Sequence, residues 1–468
     1  MGVIMRFRND LRKIACLVLA ILFFIQAGAR QEVFAAEYWP EAPETESPAV
    51  VLMELSTGTV LYEKNSTEAH YPASITKILT ALVALENSDM NEVVTFSDWA
   101  IDETHGSGIA RDYGEQMTME QCLYAMMLES ANECAFAVAE HVGGTMENFV
   151  EMMNAKAAEL GCENTHFANP HGLHDDNHYT CARDMALIAK AAYANETFRI
   201  ITGTKIYTIP PTNKHPNEDT IVRNHHDMLC TYHSANAKYL YEYCVGGKTG
   251  YTDAANSTLV TYAEKDGMTL VCVVMNVQSP GQFVDTLNLF HYAFDNFQVF
   301  HVADNETDYD TSRAVTVGAL NEYKAFVELD GNADIVLPKT AEFADAVSEI
   351  SYREDGGSIV GTISYTYANH EVGKADIVRN GIEVEGFVFD NQKETGGSGE
   401  EATAIRINPL LIFLGVLAVI SLLLLIYFAK QIVDNYYIIR HNMEVRRSKR
   451  EQFRTVRKRQ KRPGRRRF

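Results

Sequence analysis

Apolar and polar residues alternate in "VVLMELSTGTVLYEKN", which predicts two strands around a turn at Gly58. The period then changes. "PASITKILTALVALE" repeats Ile75, Ile78, Leu79, Leu82, Val83 and Leu85 at helical spacing, behind a serine, Ser74. From Thr118 to about Arg199 the spacing stays helical. "TMEQCLYAMMLES" starts with a Thr-x-x-Gln capping box, and "TMENFVEMMNAKAAELG" ends on a C-terminal glycine. Strands return in "NSTLVTYAEKDGMTLVCVVMNV", a hairpin whose Asp266-Gly267 turn suits type I′ geometry. Strands at both ends with helices between them predict one mixed α/β (α+β) domain over residues 40–297.

Beyond it the pattern is of another kind. "KAFVELDGNADIVLP" and "EISYREDGGSIVGTISYTYANHEVGKADIVRNGIEVEG" alternate around Asp-Gly and Gly-Gly turns, which predicts a small all-β domain over 299–389. "DNQKETGGSGEEATA" lies in a polar linker, 390–408. Residues 409–428, "PLLIFLGVLAVISLLLLIYF", carry no charge and are long enough for a transmembrane helix. Residues 1–35 combine a basic start, a short apolar run and small residues before a cleavage point, the pattern of a secretory signal peptide.

Charge sharpens this order. Residues 430–468 hold 15 Lys and Arg against 3 Asp and Glu, and residues 1–30 hold 5 against 1, so the stretch between carries 21 basic and 58 acidic residues. A basic tail after an apolar span stays cytoplasmic, so the acidic region faces outward as a single-pass, membrane-anchored ectodomain. Orientation accounts for the tail's charge, and no nucleic-acid partner is expected. Seven cysteines follow the signal, at 122, 134, 162, 181, 230, 244 and 272. They form no C-x-x-C pair, and their number is odd, which argues against a disulfide framework or zinc module.

Lys77 has no place on an apolar helical face unless it is partnered, because desolvating an ammonium costs several kcal/mol. Two further stretches supply the context. "LESANECA" carries Ser130-Ala131-Asn132 where one helical pattern breaks and the next begins, and "GGKTGYTDAANSTLV" carries Lys248-Thr249-Gly250 at the start of a strand. Ser-x-x-Lys, Ser-x-Asn and Lys-Thr-Gly, in this order in an exported chain, resemble the penicillin-recognising serine acyltransferases. "FANPHGLHDDNHYTCARDMALIA" and "KTGYTDAA" narrow the resemblance to the low-molecular-weight D-alanyl-D-alanine carboxypeptidases of peptidase family S11, over nearly the whole exported region. That family also has a β-rich domain after the catalytic one.

The resemblance implies a division of roles. Ser74 is the nucleophile, placed at a helix N-terminus, and Lys77, on the same face, is its base. Lys248 is the second cation, Ser130 passes protons to the leaving amine, and Asn132 holds the substrate amide and the Lys77 ammonium. Thr249 faces the terminal carboxylate, Gly250 lets the substrate backbone lie on the strand, and the N–H groups of Ser74 and Tyr251 form the oxyanion hole. The substrate class is peptidoglycan stem peptides ending in D-Ala-D-Ala, with β-lactams as inhibitors. No metal and no cofactor are required.

The run His166, His171, His174, Asp175, Asp176 and His178 looks metal-like, but it coincides with a family stretch beside a metal-free serine centre and is read as a loop fixed by its turns. Gln282 stands where family members usually carry an arginine for the substrate carboxylate, Arg223 resembles another family arginine, and Ala131 replaces a more common glycine. The first of these leaves D,D-endopeptidase activity as an alternative. A β-lactamase would need a Glu-x-x-x-Asn-type loop, and none is recognised between Asn132 and Lys248. A membrane-anchored sensor of peptidoglycan or β-lactam would not need the intact Ser74, Lys77, Ser130, Asn132 and Lys248.

Overall fold

A computed structural model describes residues 38–232, 237–306, 327–353 and 358–379. The expected signal over 1–35, the linker, the apolar run 409–428 and the basic tail lie outside the described residues. Among the described residues no helix is long and apolar enough to cross a membrane.

An antiparallel five-stranded sheet forms the centre of the catalytic-motif region. Its strands are β1 (Ala49–Glu54), β2 (Val60–Lys64), β3 (Cys244–Thr252), β4 (Asn256–Lys265) and β5 (Met268–Val277). Their order is β2-β1-β5-β4-β3, so the Lys-Thr-Gly strand β3 is an edge. Every residue of β1 is buried. Its alternation divides between two cores: Ala49, Val51 and Met53 enter one, Val50 and Leu52 the other. A strand covered on both faces reads as a continuous apolar run, which is the character of "AVVLM".

The first core is filled by α1 (Lys77–Asn87), α2 (Met119–Leu128), α3 (Asn132–Gly143), α4 (Met146–Glu159), α5 (Ala182–Ala194) and α6 (Glu196–Gly203). The second is closed by α7 (Gly281–Asn296), whose Phe283, Leu289, Phe290 and Phe294 meet Leu270, Cys272 and Val274. Burying each such large side chain contributes about 1.5–3 kcal/mol. The pattern reading did not anticipate α7. Nor did it anticipate the two short hairpins, Val93–Thr95 with Gln116–Thr118 and Ile206–Ile209 with Thr220–Arg223, because strands of three or four residues hold too few positions to show a period.

Local signals acted as written. Thr118 Oγ1 accepts from Gln121 N at 3.2 Å, while Gln121 Oε1 accepts from Thr118 N at 2.9 Å, which closes the capping box on α2. Asp266 and Gly267 have φ of 51° and 80°, the two positive angles that a type I′ turn demands.

The second sheet contains β6 (Phe297–His301), β7 (Val327–Leu329), β8 (Asp334–Pro338), β9 (Val347–Tyr352), β10 (Ile359–Tyr367) and β11 (His370–Arg379), in the order β6-β8-β11-β10-β9 with β7 also on β11. Ile335, Leu337, Ile363, Tyr365, Val372 and Ala375 form its apolar side. Trp39 stacks on His370 at 3.8 Å, and the Tyr38 N–H donates to the Tyr367 hydroxyl at 3.2 Å, so the first described residues lie against this sheet.

Candidate active site

The helix that Ser74 was expected to open begins later. Ala73–Thr76 is a 3₁₀ turn, and α1 starts at Lys77. Ala73 has φ of 51°, a left-handed angle that costs energy for a residue with a Cβ and is kept only where its surroundings enforce it. Three contacts do so. Thr76 Oγ1 donates to Ala73 O at 2.8 Å, Thr258 Oγ1 donates to Pro72 O at 2.8 Å, and a Cβ on Gly172 would stand 1.9 Å from Ala73 O. Gly172, at φ +86°, is therefore required by both its angle and this close approach.

The metal-like loop supports the same turn. His178 Nδ1 accepts from Ala168 N at 3.0 Å, which leaves Nε2 to donate to Thr76 Oγ1 at 2.8 Å. Burial pushes His178 down to about 3, so the ring is neutral. Thr80 Oγ1 donates to Pro170 O, and Asn169 Oδ1 accepts from Gly172 N, at 2.6 and 2.7 Å.

Lys77 is fully buried and partnered. Its Nζ donates to Ser74 Oγ at 3.0 Å, Asn132 Oδ1 at 2.7 Å and the His171 carbonyl at 2.5 Å. Burial, and then the charge of Lys248, hold its pKa well below that of a free lysine, with Glu133 opposing them. Lys248, 2 % exposed, donates to the Thr249 carbonyl at 2.9 Å, and burial pushes it down to about 7 against an opposing contribution from Glu129. A proton can thus be accepted here near neutral pH.

Ser130 and Asn132 come from the break between α2 and α3. Ser130 has φ of 59°, left-handed like Ala73, and is 5 % exposed. Asn132 is held from outside the motif: its N–H donates to Ser107 O at 2.9 Å and its Nδ2 to His105 O at 2.6 Å. That fixes Oδ1 toward Lys77. The loop supplying these carbonyls is held by Glu133, whose Oε1 accepts from Ile109 N at 2.6 Å. Burial raises the pKa of Glu133.

On β3, a Cβ at Gly250 would stand 2.9 Å from Ser74 N and 2.3 Å from Thr258 Oγ1, so glycine lets the turn that bears Ser74 rest on the strand. Ser74, Ser130, Thr249, Gly250 and Tyr251 line one cleft of about 450 Å³. Lys77, Lys248 and Asn132 are not among its lining residues. Gln282, on α7, also lines the cleft; its Nε2 donates to Ser279 Oγ at 3.4 Å. Arg223 is not among the lining residues. Its N–H donates to Glu129, which also pairs with His225 at 2.8 Å.

Sequence reasoning missed the backbone carbonyls of His105, Ser107 and His171, because no side chain announces them. Glu133 left a signal, a carboxylate directly after Asn132 in an apolar helix. The Gly106-Ser107-Gly108 run likewise marks a loop that approaches closely.

Residues 36–279, half of the chain, match the family described as D-alanyl-D-alanine carboxypeptidase, peptidase S11. The D-alanyl-D-alanine carboxypeptidase DacF of Bacillus subtilis is 32 % identical over 319 residues, covering 66 % of this chain and 77 % of that protein. The corresponding DacA of Haemophilus influenzae is 27 % identical, covering 72 % and 84 %. Among solved structures, penicillin binding protein 5 from Haemophilus influenzae superposes with a TM-score of 0.58 at 26 % identity, over 73 % of this chain and 98 % of that one. This chain therefore belongs to the D-alanyl-D-alanine carboxypeptidases of peptidase family S11.

Proposed function

We propose that this protein is a serine-type D-Ala-D-Ala carboxypeptidase that removes the terminal D-alanine of peptidoglycan stem peptides and binds penicillin, with Ser74 as the acylated residue. The observation that carries this reading is Lys77 Nζ, buried between Ser74 Oγ and Asn132 Oδ1 with its pKa well lowered.

Neutral Lys77 takes the Ser74 proton as Oγ attacks the carbonyl between the two D-alanines. The oxyanion forms near the N–H groups of Ser74 and Tyr251, where one donor is worth about 3–4 kcal/mol. Ser130 delivers the proton to the departing amine, and water then hydrolyses the ester. Burial, and then the charge of Lys248, disfavour a proton on Lys77, and Thr249 meets the terminal carboxylate. Cross-bridge cleavage is the second reading, because the cleft presents the neutral Gln282 where the carboxylate would gain from a cation.

The same proposal covers the rest of the chain. The signal over 1–35 directs export, the second sheet belongs to a β-rich module over 299–389, and residues 409–428 anchor the protein in the bacterial cell membrane with 430–468 inside. Hydropathy, charge asymmetry and the polar 390–408 stretch support it.

Intact-mass analysis of the purified chain, after brief exposure to penicillin and separately to a D-Ala-D-Ala peptide, tests the reading. One adduct on Ser74 lasting minutes and release of D-alanine are expected. Rapid penicillin turnover would favour a β-lactamase, and an adduct without peptide cleavage would favour a sensor.

A further inference from the structure

The end of the cleft formed by α7 is held by a carboxylate that does not itself line it. Gln282 and Phe283, in the first turn of α7, line the cleft beside Ser279. Asp285 follows Gln282 by three residues, the spacing of neighbours along a helix, and is 2 % exposed. Its Oδ1 accepts from Glu46 N at 3.2 Å and its Oδ2 from Ser47 N at 2.8 Å, and Ser47 Oγ also donates to Oδ2. Ser47 is fully buried. Three donors from the segment just before β1 thus converge on one carboxylate 238 positions after Ser47.

An apolar side chain would fill the same space at lower cost, because a carboxylate must be stripped of water to enter the protein. Hydrogen bonds supply what apolar contact does not, a fixed direction. The rest of the turn leaves little room to shift. A Cβ on Gly281 would stand 2.7 Å from Val277 Cγ2 at the end of β5 and 3.5 Å from Glu46 Oε2, while Thr286 Oγ1 donates to Gln282 O at 2.7 Å.

Phe283 carries the same constraint toward β3. Its ring stacks on Tyr239 at 5.4 Å and makes a T-shaped contact with His226 at 6.3 Å. The His226 ring packs against Gly247, where a Cβ would stand 2.6 Å from Nε2, and Gly247 adjoins Lys248. The turn that Asp285 fixes therefore touches both the lining of the cleft and the support of the Lys-Thr-Gly strand.

We propose that Asp285 is a positioning residue for substrate binding: clamped by Glu46 and Ser47, it sets where the first turn of α7 presents Gln282 and Phe283 to the peptide's terminal carboxylate. The inference rests on the carboxypeptidase reading and adds that the segment before β1 tunes how tightly the substrate is held, without touching it.

The test measures D-alanine release from Nα-acetyl-L-Lys-D-Ala-D-Ala by the full chain in detergent, with rates expressed per Ser74 that penicillin can titrate. Asp285→Asn keeps the shape but turns one accepting oxygen into an amide donor, and is expected to raise KM about tenfold with kcat within about threefold. Ser47→Ala removes one of the three donors and should raise KM about threefold; it decides alone if Asp285→Asn does not fold. Both changes act on one contact, so the double variant should match Asp285→Asn instead of reaching the roughly thirtyfold rise of independent effects. An unchanged KM in these variants, with only a lower melting temperature or a smaller titratable fraction, makes the clamp merely structural and overturns the proposal. So does a fall in kcat at constant KM. Absence of D-alanine release together with no penicillin adduct on wild type overturns the underlying reading, and the positioning role with it.

Discussion

In β10 of the second sheet, Gly361, Ile363, Tyr365 and Tyr367 turn inward and the residues between them are more exposed, whereas β3 buries Gly246, Gly247, Lys248 and Gly250 in a sequence with almost no apolar side chain. A Cβ on Gly247 would stand 2.2 Å from Val260 O and 2.6 Å from His226 Nε2, and one on Gly246 would press on Thr202. β10 is held by what its side chains bury. β3 is held by what its missing side chains let approach, and the one long side chain it buries is an ammonium. The contrast teaches that the polar residues violating the folding pattern are the ones given chemical work, and that other elements must hold them in place.

Replacing Lys77 should give the largest effect. Lys77→Ala is expected to slow penicillin acylation by about 10²–10⁴-fold. It also leaves Asn132 Oδ1 and His171 O without a donor, at about 1–3 kcal/mol in stability. Acylation at the wild-type rate would assign the base elsewhere. In the second sheet the effect moves from activity to stability: Ile363→Ala should cost about 2–5 kcal/mol by thermal melting, and acylation per folded molecule should stay within about twofold. If acylation fell in step with stability, the two sheets would share a function that the contrast denies.

Lys248 should show its cost through pH. Its folded pKa, about 7, lies below the free value of 10.5, so the unfolded chain binds the extra proton between these limits. Stability therefore rises with pH from about 7 to 10.5 and is unaffected by this group below that window. Lys248→Met lacks this contribution. It should be more stable than wild type at pH 7, by on the order of a few kcal/mol, and the gap should close by pH 10 while acylation is lost. A constant gap would mean that the fold does not lower the pKa of Lys248. The smallest change is expected at Glu133. Glu133→Ala releases the Ile109 end of the loop behind Asn132 and should lower acylation by about tenfold, with most of the rate restored in Glu133→Gln, which still offers an acceptor.

Strands β1, β2, β4 and β5 were legible because each is a run of five or more residues rich in apolar and β-branched side chains bounded by turn residues, and the cap at Thr118 was legible because its partner Gln121 is three residues away. The site motifs could be named as triplets, but not how they meet. That Lys77 approaches Asn132 depends on the carbonyls of His105 and Ser107, backbone groups that any residue supplies. The start of α1 was misplaced for a related reason: Ala73 is left-handed, and its carbonyl lies where only a glycine at position 172, about a hundred positions later, leaves room for it. The histidine-rich loop could be read as one fixed by its turns, but not which groups its rings would meet. His178 gives one ring nitrogen to Ala168 and the other to Thr76, which only the folded contacts reveal.

The pairing of β1 with β5, Val50 opposite Val274, sets the timing of assembly. Synthesis runs from the N-terminus, so the turn bearing Ser74 is made long before the strand that closes the sheet over it, and Trp39 waits longer still for His370. Chains dominated by such distant pairings mature slowly, over milliseconds to seconds. Until Lys248 and Gly250 arrive, Lys77 lacks the neighbouring charge that adds to burial in lowering its pKa, and the turn of Ser74 lacks the strand it rests on. On the proposed reading, a nascent chain that ends before β3 should not react with a β-lactam, and reactivity should report that β3 has docked.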